Sequence, residues 1–78
     1  MMEWMPLDSS ALSSAACVEP EHTLYLRFHS GELYRYFHLP PEQYQDFLAA
    51  DSHGRYFAYH IRDRFPCENL ARSGRASA

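Results

Sequence analysis

A chain of 78 residues has room for one small domain, and a domain of that size buries only about 60% of its unfolded surface. A net charge of −3 argues against a general polyanion binder. No apolar run approaches the ~20 residues that a membrane span requires.

Residues 1–10 read as an extended lead-in, with Trp4, Met5 and Leu7 able to pin it to the body. Ala11 to Val18 reads as a first strand, with Leu12, Ala16 and Val18 on one alternation. The polar stretch Glu19-Pro20-Glu21-His22 turns it into the next segment. From Thr23 to His38 apolar and polar residues alternate on both sides of Ser30-Gly31, the pattern of a β-hairpin. A two-residue turn at Ser30-Gly31 sets Phe28 against Leu33, Leu26 against Arg35 and Tyr25 against Tyr36. One face then carries Leu24, Leu26, Phe28, Leu33, Arg35 and Phe37 as a core layer. The other carries Tyr25, Arg27, His29, Glu32, Tyr34, Tyr36 and His38. Arg35 is the misfit of the core layer: its position calls for a carboxylate or helix C-terminal carbonyls as partner, the alternative being a packed stem whose head snorkels to water. A bulge at Gly31 would swap the faces of one strand.

Leu39-Pro40-Pro41-Glu42 opens a helix, since proline suits the first turn and an acid suits the N-terminus. The helix runs to about Ala50, with Tyr44, Phe47 and Leu48 as its apolar stripe. Asp51 or Ser52 caps a second helix, His53 to Ile61, whose Phe57 and Ile61 face the core. Gly54 allows the two helices to approach closely. The expected fold is α+β: a three-stranded antiparallel sheet followed by two short helices packed on one face. Residues 69–78 are small, polar and basic, and read as a disordered tail.

The face of Tyr25, Arg27, Tyr34, Tyr36 and His38 has the composition of a base-stacking platform, as in sheet-surface RNA binders. Second-face packing of the same tyrosines is the plainer reading. Charge is uneven along the chain. Residues 1–52 hold eight acids and two arginines, whereas residues 53–78 hold five arginines and two acids. Arg55, Arg62 and Arg64, near the end of the helical unit, are therefore candidates for phosphate contact. His22, His29, His38, His53 and His60 lack a metal-ligand spacing, and Cys17 is far from Cys67. No nucleophile elbow, phosphate loop or glycine-rich turn is present, so neither an enzyme nor a cofactor is expected. Cys17 with His22 as nucleophile and base is weaker than an incidental thiol. The two cysteines, with no secretory segment before them, fit free thiols in a reducing cytoplasm.

The pattern as a whole resembles the KTSC domain, a short module named after the C-terminal extension of some lysyl-tRNA synthetases. The resemblance runs from about Leu7 to Glu68. It rests on Ser9-Ser10, Leu-x-Leu-x-Phe at Leu24–Phe28, Gly31, Tyr34-Arg35-Tyr36, Pro40, Tyr44, Ser52-x-Gly54-x-Tyr56-Phe57 and Ile61. The family often has Asn after the Tyr-Phe pair and Tyr near its end; this chain has Ala58 and Phe65 there. The resemblance makes residues 11–68 a KTSC-like domain. The function of the family is unestablished, and the synthetase context implies RNA as ligand. Single-stranded RNA or tRNA is thus the first expected partner, and a protein partner for the same aromatic surface the second.

Overall fold

The computed structural model describes residues 3–19 and 21–70. The tail from residue 71 onward, and Pro20 of the first turn, lie outside them. Among the described residues the sheet has five strands, two more than expected: β1 (Met5–Pro6), β2 (Leu12–Val18), β3 (Thr23–Phe28), β4 (Leu33–Tyr36) and β5 (Cys67–Asn69). They run in sequence order and every neighbouring pair is antiparallel. The extra strands are edges of two and three residues, too short to show a period in the sequence. Asn69, read as the head of the tail, ends β5.

The central hairpin differs from expectation by one residue. Arg27 pairs with Leu33, Leu26 with Tyr34, Tyr25 with Arg35 and Leu24 with Tyr36. Its loop is closed by Gly31 N donating to Phe28 O and Phe28 N donating to Glu32 O, both at 2.9 Å. Three residues, His29, Ser30 and Gly31, therefore make the connection. A two-residue hairpin turn demands a positive φ at its first position, which disfavours Ser30. The three-residue loop asks for positive φ only at its last position, and Gly31 has φ +100. This bulged closure turns β4 over: Tyr34 and Tyr36 face inward, and Leu33 and Arg35 face outward.

A second irregularity sits in β2. Leu12 pairs with Phe28 but Ser14 pairs with Arg27, so the register shifts at Ser13. The expected alternation of Leu12, Ala16 and Val18 is broken there. Leu12 and Ala15 belong to the core, while Ala16, opposite Tyr25, is buried on the outer side. Ser9 supports the entry to this strand, its Oγ accepting from the N–H groups of Ala11 and Leu12 at 3.2 Å.

Helix α1 (Pro41–Ala49) begins on Pro40 and Pro41, as expected. Helix α2 (His53–Tyr56) starts on a Ser52 cap whose Oγ accepts from Arg55 N at 3.2 Å. It continues as a π-helical segment, Phe57–Ile61, closed by Arg62 N donating to Phe57 O at 2.8 Å. Together they cover the span expected of the second helix. The room at Gly54 faces the N-terminal segment rather than α1: a Cβ there would stand 3.4 Å from Ser9 Oγ.

The core lies between the inner face of the sheet and the helices. Leu12, Ala15, Leu24, Leu26 and Tyr36 from the sheet meet Leu39, Phe47, Phe57 and Ile61. Leu26 is fully buried and Phe57 nearly so. Leu26→Ala and Phe57→Ala are each expected to cost about 2–4 kcal/mol, the range for cavities in a close-packed core. Denaturant melts of the two variants check this, and midpoints equal to wild type would refute the core assignment.

Candidate nucleic-acid interface

The overturned β4 divides the expected platform. Tyr25 and Arg27 remain on the outer face of the sheet. Tyr34 and Tyr36 turn toward the helices, where Tyr36 is buried and Tyr34 packs against the core. His38 leaves the row altogether, because its left-handed backbone, φ 64, turns the chain out of β4. Arg55, Arg62 and Arg64 are exposed but do not converge on one place. Arg55 lines a cleft with Ser9, Ser52 and Tyr59; Arg62 lines one with Tyr34 and Tyr36; Arg64 lines one with Gln43 and Phe65.

The outer face gains what it loses. The register of β1 on β2 carries Trp4 to the row of Ala16 and Tyr25. The Arg27 guanidinium lies 4.6 Å from the centre of the Trp4 ring, within cation–π range. Trp4 in turn meets Tyr25 edge-on, 6.5 Å between centroids. Arg35, opposite Tyr25, sits 6.0 Å from that ring and 5.2 Å from Phe37. Arg27, Trp4, Tyr25, Arg35 and Phe37 thus form one continuous series of cations and rings. All helical residues of the core pack on the opposite side of the sheet.

Arg35 finds the carboxylate partner that the sequence called for, but on the outer face. Glu68 of β5 lies opposite it and forms an ion pair through Nη2. Hydrogen bonding to Tyr25 and then to Glu68 holds the Arg35 guanidinium above its ordinary range. Its Nε is buried without an acceptor. Trp4, Arg35, Phe37 and Glu68 are the members that sequence reasoning missed. A three-residue loop at Gly31 would have supplied Arg35 and Phe37, because it moves every odd-numbered residue of β4 outward.

On the inner side, Phe28, Tyr34, Tyr36 and Phe57 form a closed circuit of rings. Successive centroids are 5.5 Å (Phe28–Tyr34), 6.1 Å (Tyr34–Tyr36), 5.6 Å (Tyr36–Phe57) and 5.7 Å (Phe57–Phe28) apart. Burial, followed by the neighbouring Cys67 and Tyr34, pushes the Tyr36 phenol well above its ordinary value. Burial also raises the Cys17 thiol, with Glu19 adding to the effect, which keeps that thiol protonated and poorly nucleophilic. Among the described residues no three His, Cys, Asp or Glu side chains group to hold a metal ion, and no helix is long and apolar enough to cross a membrane.

Residues 8–65 match the KTSC domain. A protein of Tsukamurella paurometabola is 42% identical over 60 residues, which span 77% of this chain and 90% of the relative. An uncharacterized protein of Stutzerimonas stutzeri is 45% identical over 56 residues, 72% of this chain and 79% of the relative. The crystal structure of a KTSC domain protein from Yersinia pestis superposes with a TM-score of 0.84 at 30% identity, covering 90% of this chain and 99% of that one. Trp4 and Glu68 stand outside the matched residues, at the two edges of the sheet.

The raised Tyr36 phenol makes stability depend on alkaline pH. The folded state holds that proton more tightly than the unfolded chain does, so its contribution is complete below the ordinary phenol value of 10.0 and is lost as pH rises above it. Burial shifts Tyr44 and Tyr56 in the same direction. Urea melts from pH 8 to 11 are expected to show stability falling beyond pH 10. Tyr36→Phe should flatten that fall in part, and an unchanged profile would contradict it.

Proposed function

The chain belongs to the KTSC domain family, and on that footing we propose that it is a small binding module that takes single-stranded RNA on the outer face of its sheet. One observation carries the reading: among the described residues the sheet has helices on one side only, and its other side presents Trp4, Tyr25 and Phe37 interleaved with Arg27 and Arg35. Bases stack on aromatic rings and on guanidinium planes without regard to sequence. Arginine at the same place can turn from its ring to a phosphate. Arg27 is the exposed cation of the pair, whereas Arg35 is engaged by Glu68. The acidic balance of the chain holds affinity to the micromolar range or weaker.

A protein partner is the second reading. The Arg35–Glu68 pair favours it, because a face bearing both charges is better matched by mixed protein charge than by a polyanion.

Trp4 is the single tryptophan and stands inside the platform, so its fluorescence reports stacking directly. Titration with a labelled single-stranded oligonucleotide at two salt concentrations is expected to give saturable quenching. Tyr25→Ala should cost about 1–3 kcal/mol with little change in salt dependence. Arg27→Ala should lower the slope of log K against log salt by about 0.7. Arg62→Ala, on the inner side, should leave both unchanged. Absence of quenching at low salt, with a protein ligand shifting the same rings, would replace the first reading by the second.

A further inference from the structure

The ring circuit on the inner side borders a cleft of about 390 Å³ that the outer-face reading does not use. Phe28, Tyr34, Tyr36 and Phe57 form its apolar walls, and Glu32, Arg62 and Asp63 stand around it with Cys67. Phe28 and Tyr34 are half-buried, so the apolar walls reach solvent.

We propose that this cleft receives the guanidinium side chain of an arginine from a partner protein. The charges at the cleft decide among occupants. Two carboxylates against one guanidinium leave it net negative, which repels the phosphate of a nucleotide. A plain aliphatic side chain would meet the rings but leave the exposed Glu32 and Asp63 carboxylates without a partner. A guanidinium meets both requirements. Its flat face packs on aromatic rings, and its edge carries five N–H donors for carboxylates. It is also more weakly hydrated than an ammonium, so it enters an apolar-walled space more readily. The cation already at the site, Arg62, lowers the Tyr36 phenol against the other influences on it, which places positive charge within electrostatic reach of that ring.

The cleft lies between β4 and the π segment, beside β5. Among the described residues β5 is an edge strand, which gives an extended segment of a partner a strand to approach on this side. The outer platform is on the far side of the same sheet, so the two surfaces can be occupied together.

The probe is the capped tripeptide acetyl-Gly-Arg-Gly-amide, compared with its neutral isostere in which citrulline replaces arginine. Ring-proton NMR shifts of Phe28 and Tyr34 are followed in the full chain. The arginine peptide is expected to move both rings saturably, and the citrulline peptide to bind at least tenfold more weakly. The double variant Glu32→Gln, Asp63→Asn should weaken the arginine peptide about tenfold. Asparagine tolerates the left-handed backbone of Asp63, φ 62, so the loop survives the change. Arg62→Ala should tighten binding several-fold, because it removes the like charge at the cleft. Equal shifts from the two peptides, shifts confined to Trp4 and Tyr25, or undiminished binding by the double variant would each overturn the proposal.

Discussion

The whole arrangement depends on one backbone dihedral. Gly31, at φ +100, is the last residue of a three-residue loop, and that loop sets the register of β4 on β3. Side chains alternate along a strand, so a shift of one residue moves each of them to the other face. With this loop, Tyr36 closes the core beneath Phe57, and Arg35 joins the solvent-facing rings. A two-residue loop would have buried a guanidinium among leucines. The ion pair with Glu68, the cation–π series and the inner ring circuit all follow from that single choice of closure.

Much of the fold was legible because its signals are local. The helix starting on Pro40 and Pro41, the Ser52 cap, and the inward placement of Phe47, Phe57 and Ile61 each follow from a few adjacent residues. The faces of β4 were legible in principle. Of Ser30 and Gly31 only the glycine is suited to positive φ, and its second place in the pair argues for the longer loop. The bulge at Ser13 left no such mark: serine and alanine on either side give the period nothing to break. The two edge strands were invisible for another reason. Met5–Pro6 and Cys67–Asn69 are held by the sheet they join, and their own sequence has little strand propensity.

The candidate interface was read half correctly for the same physical reason. Tyr25 and Arg27 lie on the strand that was assigned to the right face, and they stayed; Tyr34 and Tyr36 lie on the overturned strand, and they went inward. What replaced them came from far along the chain. Trp4 and Glu68 arrive through the edge strands, and no pattern within the hairpin announces them. The three helical-side arginines were grouped by sequence proximity, yet they border separate clefts, because a turn of helix and a left-handed Asp63 lie between them.

The strand order carries a consequence for how the molecule comes into being. β1 to β4 each pair with their neighbour in sequence, whereas β5 reaches β4 only after both helices have been laid down. On a ribosome the chain emerges from its N-terminus, and local hairpins close long before distant pairings. The outer rings and Arg35 are therefore brought together before β5 docks and adds Glu68. For that interval the sheet shows Arg35 without its carboxylate, and the docking of β5 supplies it.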